Sequence, residues 1–251
     1  MTGRPDTSTL ELGEFRHICG FCSLRKVCWP VDRTPSDLTR LHTMIRHWGP
    51  LRVGSHLFGV GDRFTAIYAV RSGCIKSYSI DVGGHELVHG FHLCGELLGF
   101  DAVHPDRHRC NAVVLDITSV CVIPYRDIAR LSVEFPSVHN EVLRLMSREF
   151  SRQLLIAEGS GAIQRIAAFL MDIHSRLRRP GSAEYDFRLP MSREDISNYL
   201  GITPETLSRL LAKLCKKGLI DVDRRHIQLA DPVRLDLISQ GIPYEQKSGF
   251  T

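Results

Sequence analysis

Three cysteines close together near the start of the chain are the residues whose type and spacing most directly indicate chemistry. Cys19, Cys22 and Cys28 are separated by two and by five residues, in the sequence CGFCSLRKVC. Thiolates at this spacing can converge on one metal centre, either tetrahedral zinc or an iron–sulfur cluster. Arg25 and Lys26 lie between the second and third cysteines, and their positive charge favours the thiolate form. The spacing also allows three unrelated thiols, or a redox pair formed by Cys19 and Cys22.

Either kind of centre needs four ligands, so the fourth must come from elsewhere in the chain. The candidates are the remaining thiols outside the helix-turn-helix pattern described below and one nearby imidazole: Cys74, Cys94, Cys110, Cys121 and His17. Disulfides are not expected, because residues 1–12 lack the apolar segment of a secretory signal. No run of about 18 apolar residues is present, so no membrane span is predicted. The sequence therefore predicts a cytoplasmic protein with no membrane partner.

A second constellation lies between residues 191 and 219, where the sequence predicts two short helices joined by a tight turn. Ser192 starts the first helix, and Asp195 three residues later completes a capping box. Gly201 can adopt the positive φ that the turn needs. Thr203 caps the second helix, which begins with a proline. This order is typical of a helix-turn-helix.

The second helix has one apolar face and one polar face. Glu205, Ser208 and Arg209 lie outward near its start, where arginine and glutamate can reach guanine and cytosine edges in the major groove. The competing interpretation is a plain helical hairpin with a solvated charged face. The predicted inward face consists of leucines: Leu207, Leu210, Leu211 and Leu214.

The charge distribution supports DNA binding over the plain hairpin. Residues 160–230 hold 12 Lys and Arg against 8 Asp and Glu, whereas the rest of the chain holds 20 of each. The whole formal excess of +4 therefore lies around the predicted helix-turn-helix. A basic excess on a small domain is what phosphate binding requires, although ordinary surfaces also show it.

The elements that position these groups form a β-rich part followed by helices. Strands are predicted at residues 66–71 and 75–80 with a turn at Ser72 and Gly73, and a further strand over residues 86–92. Short strands at this spacing indicate an antiparallel sandwich or barrel. Two more strands are predicted at residues 110–115 and 118–123.

Helical patterns flank the β-rich part. Residues 37–48 have helical spacing, and a long helix is predicted for residues 137–158 after Pro136. Apolar residues in the long helix recur at roughly heptad spacing, so it can cover its own core or pair with a copy of itself. A helix at 162–178 precedes the helix-turn-helix, a hairpin at 221–229 follows it, and a polar tail is expected from residue 231.

This arrangement resembles the CRP/FNR superfamily of bacterial transcription regulators, and within it the oxygen-sensing FNR (fumarate and nitrate reduction regulator) group. The similarity runs from His17 to Leu229. It is carried by CGFCSLRKVC, YAVRSGCIKSYSI, GFHLCGELLGFDA, SVCVIP, RLMSREF and FRLPMSREDISNYLGITPETLSRLL. The resemblance implies an α+β protein that is a regulator and not an enzyme. Its expected parts are an N-terminal antiparallel β-roll of the cyclic-nucleotide-binding type, a long dimerisation helix and a C-terminal winged helix-turn-helix.

The same resemblance implies a division of the chain into five parts. They are a cluster-binding segment at 1–30, a β-roll sensor domain at 31–136, a dimerisation helix at 137–160, a winged helix-turn-helix domain at 161–230 and a polar tail at 231–251.

In the FNR group, three clustered cysteines and one distal cysteine bind an oxygen-labile [4Fe–4S] cluster. Carried over to this chain, the ligands are Cys19, Cys22, Cys28 and Cys121, the last because SVCVIP matches the family's distal-cysteine context. The other cysteines are expected to be small buried residues: Cys74, Cys94, Cys110 and Cys215. No cyclic nucleotide is expected, because Gly95-Glu96-Leu97 resembles the start of a nucleotide-phosphate loop without the Arg-Ser or Arg-Thr that should follow shortly after.

The resemblance also assigns the DNA and protein partners. Glu205, Ser208 and Arg209 are expected to read half-sites like TTGAT in an inverted repeat of double-stranded DNA, which requires a two-fold homodimer. The family's contact with RNA polymerase is expected as well. The expected dimer interface on the long helix comprises Val142, Leu145, Phe150 and Gln153.

Two features depart from the group. Gln153 stands where an acidic residue is expected in the dimer helix, and the segment between Phe150 and Ile166 is about three residues shorter than in the group. The predicted function is an oxygen-responsive regulator that binds DNA while its cluster is intact and controls anaerobic gene expression. The competing hypotheses are a zinc-stabilised constitutive DNA-binding protein and, more remotely, a cysteine redox enzyme.

Overall fold

The computed structural model describes residues 45–134, 136–158, 161–177 and 185–242. The chain divides into two compact units, with the division after Ser147. The first unit is built on an antiparallel sheet and the second on helices with a small sheet, so the predicted α+β class is confirmed. The predicted segment at 1–30 lies outside the described residues, and the domain boundaries at 136 and 160 stay predictions.

The sheet of the first unit consists of six strands, all paired in antiparallel fashion. The strands are β1 (Arg46–Leu51), β2 (His56–Phe58), β3 (Ala66–Ile80), β4 (Glu86–Leu93), β5 (Leu97–Leu98) and β6 (Asn111–Pro124). The central path runs β1-β6-β3-β4, while β2 pairs with β6 and β5 with β3. Side chains on β3 alternate between two apolar clusters: Ala66, Tyr68 and Val70 belong to one, and Ile67 and Ala69 to the other.

The turn predicted at Ser72 and Gly73 is wrong, because β3 continues through it. The pairing of β3 with β6 shifts register on either side of Ser72, so the chain bulges here instead of reversing. Gly73 has a φ of 84°, and an added Cβ would lie 2.8 Å from the Cα of Thr118. The Thr118 hydroxyl, fully buried, accepts the Cys74 N–H at 3.1 Å and so holds β6 against the bulge. The two strands predicted at 110–115 and 118–123 likewise form the single strand β6.

The helix predicted at residues 37–48 is wrong at its end, where residues 46–48 belong to β1. The apolar spacing that suggested a helix instead places Trp48 partly buried against the sheet. Residues 37–44 lie outside the described residues.

Two consecutive helices, α1 (Tyr125–Glu134) and α2 (Pro136–Glu158), follow the sheet. The long helix predicted after Pro136 is confirmed in α2, whereas α1 is an element that the sequence pattern did not indicate.

The second unit contains the predicted helix-turn-helix and hairpin. Its elements are α3 (Ala162–Leu177), β7 (Asp186–Arg188), α4 (Arg193–Tyr199), α5 (Pro204–Lys216), β8 (Ile220–Asp223), β9 (His226–Leu229) and α6 (Pro232–Ser239). The three strands form one sheet in the order β7-β9-β8, and β8 and β9 are the wing. The tail expected from residue 231 is wrong over α6, which packs against α3 with Leu235 fully buried.

Candidate DNA-interface, dimer and cofactor sites

The turn between α4 and α5 is fixed by local capping, as the sequence predicted. The Ser192 side chain accepts the N–H of Asp195, and the Asp195 carboxylate accepts the Ser192 N–H in return. Thr203 caps α5 by accepting the N–H of Thr206 at 3.2 Å. Gly201, with a φ of 62°, provides the left-handed residue between the two helices. These caps set where α5 begins and therefore which of its side chains face outward.

The outward face of α5 carries the three predicted base-reading residues. Glu205, Ser208 and Arg209 are all exposed, and their spacing of three and four residues puts them on one side of the first turns. Of the predicted inward leucines, Leu210 is only partly buried. The other three are fully packed: Leu207, Leu211 and Leu214.

Hydrogen bonds at the start of α5 favour the ionised form of the Glu205 carboxyl group. The backbone N–H of Glu205 and the Thr203 side chain both lower the pKa of this carboxyl group below its ordinary value. An ionised carboxylate only accepts hydrogen bonds, as pairing with a cytosine amino group requires. The face therefore offers an anionic acceptor and a cationic fork, Arg209, one helical turn apart.

The wing is attached to the helix-turn-helix by backbone contacts that sequence reasoning missed. The Arg193 guanidinium donates to the carbonyl of Arg224 at 2.9 Å, and Arg225 donates to the carbonyl of Pro190 at 3.2 Å. Arg224 has a φ of 53° and is exposed at the hairpin turn. Consecutive arginines at the centre of the predicted hairpin were the available signal. The wing turn therefore adds basic groups to those of the exposed Lys213, Lys216 and Lys217.

Cys121 is the one predicted cluster ligand within the described residues. It lies on β6, opposite Ala69 of β3 and His47 of β1, and it is partly buried. Its Sγ is 3.5 Å from the Nδ1 of His47. Cys19, Cys22 and Cys28 lie outside the described residues. Within the described ranges no group of three or more potential metal ligands converges.

The expectation that the other cysteines are small buried residues holds for two of them. Cys74 and Cys110 are buried, and burial together with the nearby Asp101 carboxylate raises the pKa of Cys110 to about 12. Cys215 is intermediate, and the expectation is wrong for Cys94, which is exposed. None of these four is in a disulfide. Partial burial also raises the pKa of the Cys94 and Cys215 thiols, which disfavours their thiolate forms.

In and after the loop that resembles a nucleotide-phosphate loop, backbone N–H groups donate to carboxylates of the chain itself. Glu96 is buried and accepts the N–H of Leu93 at 3.0 Å. Asp101 accepts the N–H groups of Arg109 at 2.7 Å and of Cys110 at 3.3 Å. In a phosphate loop, backbone amide groups of this kind bind an anionic ligand. Here they donate to a carboxylate of the same chain instead.

The structure changes which residues of α2 are available to a second copy of the chain. Leu145, predicted in the interface, is 8% exposed and packs in the apolar cluster of its own unit with Ile67 and Ile123. Its place in the dimer interface stays a prediction, and its side chain already belongs to the core of its own unit. Val142 is partly buried, and Phe150 is 66% exposed. The side chain of Gln153 lies outside the described residues.

The exposed apolar residues of α2 form a different stripe. Leu143, Met146 and Phe150 are separated by three and four residues, which is the spacing of a coiled-coil seam. These three residues are called the 143–146–150 stripe.

Among the described residues no helix is long and apolar enough to cross a membrane.

Two domain families match the chain, one in each unit. The Cyclic nucleotide-binding domain family matches residues 50–134, and the Crp-like helix-turn-helix domain family matches residues 164–238. The FixK2 structure from Bradyrhizobium japonicum is similar with a TM-score of 0.67 at 26% identity, covering 80% of this chain and 98% of that one.

Curated relatives cover nearly the whole chain. The Fumarate and nitrate reduction regulatory protein of Vibrio cholerae is 36% identical over 97% of this chain and 98% of its own length. The Transcriptional activator protein anr of Pseudomonas aeruginosa is 36% identical over 89% of this chain and 93% of its own. These relatives are regulators and not enzymes, and the family binds DNA through its helix-turn-helix as a dimer. The chain therefore belongs to the CRP/FNR family of transcription regulators, within its FNR group.

Proposed function

We propose that this protein is an oxygen-responsive transcription regulator that binds DNA as a homodimer while a [4Fe–4S] cluster is intact, and so controls anaerobic gene expression. The observation that carries the proposal is the set of four cysteines, three clustered and one on β6, in a chain whose relatives are named for fumarate and nitrate reduction. RNA polymerase is the proposed protein partner at the promoter.

Cys121, the one proposed ligand within the described residues, fits such a cluster. Cys121 offers a soft sulfur donor at a partly buried position on the sheet, where solvent access to an iron–sulfur group is restricted. Cys28 precedes His47 by 19 residues, and His47 lies directly opposite Cys121. A chain of that length spans up to about 60 Å when extended, so connectivity permits Cys19, Cys22 and Cys28 to reach Cys121. When bound, the cluster supplies an oxygen-labile link between these cysteines and the sheet.

The exposed residues of α5 suit recognition of individual bases in the proposed TTGAT-like half-sites. Arg209 donates two of its guanidinium N–H groups to guanine O6 and N7, Glu205 accepts from a cytosine amino group, and Ser208 lies near a thymine. Lys216, Lys217 and the wing arginines contact phosphates and supply affinity without base preference.

The dimer that an inverted repeat requires forms through the 143–146–150 stripe of α2. In a parallel two-fold pair, Leu143, Met146 and Phe150 each face the same stripe of the partner helix. Gln153, three residues after Phe150 in the sequence, is also proposed as part of the interface.

Cyclic nucleotides are not ligands in this proposal. Asp101 already occupies the amide groups of Arg109 and Cys110, and a phosphate brought to the same groups would meet its negative charge. The β-roll therefore serves to hold Cys121 and α2.

An anaerobic visible spectrum combined with iron and sulfide assays tests the cofactor. Broad visible absorbance, about four irons and about four sulfides per chain are expected, and a colourless protein containing zinc would favour the constitutive zinc-stabilised alternative. A single alanine substitution at any proposed ligand should abolish both the cluster and anaerobic DNA binding: Cys19, Cys22, Cys28 or Cys121. Cys74→Ala and Cys215→Ala are matched controls that should leave the spectrum unchanged. A full cluster in Cys121→Ala would refute the assignment of the fourth ligand.

A further inference from the structure

The contact between His47 and Cys121 places an imidazole nitrogen at hydrogen-bond distance from the proposed ligand sulfur. Nδ1 of His47 and Sγ of Cys121 are 3.5 Å apart, and the two residues are directly paired across β1 and β6. Both side chains are partly buried. The contact is therefore formed by neighbouring strands of one sheet.

The backbone after His47 fixes this pairing. Gly49 has a φ of 134°, and an added Cβ would lie 2.9 Å from the Thr118 carbonyl oxygen and 2.9 Å from the Cα of Ser119. Only glycine permits β1 to approach β6 this closely, two residues beyond His47. The side chain of Trp48 lies on the opposite face of β1 from that of His47 and packs against the apolar cluster that contains Tyr68 and Val70. A one-residue slip of β1 would exchange these two side chains, so burial of the indole keeps His47 on the side of Cys121.

A hydrogen bond to a ligating thiolate alters the centre that the thiolate holds. The donor draws electron density from sulfur, stabilises the more negative state of an iron–sulfur cluster and makes its oxidation harder. The Nδ1–H group of His47 is close enough to donate this hydrogen bond once Cys121 is a thiolate.

We infer that His47 is a positioning residue that donates its Nδ1–H group to the Cys121 sulfur and slows the loss of the cluster in oxygen. The inference rests on the proposed function, since it concerns one ligand of the proposed cluster. It adds a residue outside the cysteine set whose side chain sets the oxygen threshold of the regulator.

The test compares three variants reconstituted anaerobically beside the wild type. His47→Phe keeps a ring of similar size and removes the donor, whereas His47→Asn retains an amide N–H near the position of Nδ1. His89→Phe is the matched control, because His89 lies on β4 of the same sheet and contacts Ser79 instead, at 2.9 Å. The measurements are iron and sulfide content, the iron–sulfur stretching frequencies in resonance Raman spectra, and the rate of absorbance loss in air-saturated buffer.

We expect full clusters in all four proteins. His47→Phe should lose its cluster about tenfold faster than the wild type and show shifted iron–thiolate frequencies, in line with the effect of other outer hydrogen bonds on metal sites. His47→Asn and His89→Phe should stay close to the wild type.

Three results would overturn the inference. The first is decay of His47→Phe at the wild-type rate with unchanged Raman frequencies. The second is faster decay in His47→Phe and His89→Phe alike, which would indicate general destabilisation of the sheet. The third is loss of all iron in His47→Asn, as in Cys121→Ala, which would make His47 a ligand. A wild-type protein without iron and sulfide would overturn the proposed function together with this inference, so the two failures are distinguishable.

Discussion

The contrast between Leu145 and Phe150, five residues apart on α2, yields a prediction in which one substitution affects folding and the other affects assembly. Leu145 is 8% exposed and belongs to the apolar cluster of its own unit, whereas Phe150 is 66% exposed. The family resemblance placed both in one interface. The structure separates them, so alanine at each position should produce a different defect.

The magnitudes follow from burial. Leu145→Ala removes a packed side chain and should lower the free energy of unfolding by about 2–5 kcal/mol. Burying a whole phenylalanine side chain contributes about 1.5–3 kcal/mol, and two-thirds of Phe150 is available to the partner. The loss is then about 1–2 kcal/mol per copy and about 2–4 kcal/mol per dimer. That corresponds to a dimer dissociation constant about 30- to 700-fold higher.

Sedimentation velocity under anaerobic conditions measures the dimer, and urea unfolding measures the fold. A dimer gains apparent stability by mass action, so Leu145→Ala should be compared with its parent in the monomeric Phe150→Ala background. Phe150→Ala itself should keep the monomer's unfolding free energy within about 0.5 kcal/mol. The reasoning is refuted if Phe150→Ala sediments as the wild-type dimer, or if Leu145→Ala dissociates the dimer with no loss of folding stability.

Three further predictions concern the DNA-binding unit. Arg209→Ala should cost about 1–3 kcal/mol per half-site and relax the preference at one G·C pair, measured by binding to operator variants; an unchanged base preference would show that another face of α5 reads the groove. Alanine at Lys216 and Lys217 should weaken all DNA sequences alike and flatten the salt dependence of binding, with a sequence-dependent loss as the contrary result. Thr203→Ala should destabilise the unit by about 1 kcal/mol, because the helix cap is lost. It should also bring the pKa of Glu205 closer to its ordinary value, because the Thr203 side chain is one of the groups that lower this pKa. NMR titration measures the pKa, and an unchanged value would contradict the prediction.

Local rules made the helix-turn-helix predictable from sequence. The capping box at Ser192, the Thr203 cap and the left-handed Gly201 each depend on residues within three or four positions, and each lies as predicted. The short α6 escaped prediction because its burial depends on contact with α3, more than fifty residues earlier, and not on a long apolar repeat.

Features decided by distant residues could not be predicted in the same way. Gly73 after a serine is typical of a turn, but Thr118, far away in sequence, holds the chain in a bulge of one continuous strand. In α2, the apolar spacing is compatible with a seam at Leu145 or at Met146, and only the position of the sheet decides which side is covered. The contact of His47 with Cys121 likewise depends on strand register, which no local pattern around residue 47 encodes.

One apolar cluster connects the proposed sensing residue with the proposed dimer helix. Cys121 packs partly buried against the cluster that contains Ile123, two positions further along β6, and Leu145 of α2. Leu145 lies on α2 between Leu143 and Met146, whose side chains form the exposed stripe on another side of the helix. Because a closely packed cluster resists small changes in volume, we expect a shift of β6 at Cys121 to disturb the packing of Leu145. In the proposed regulator, this single cluster is the contact through which loss of a ligand at Cys121 would reach α2.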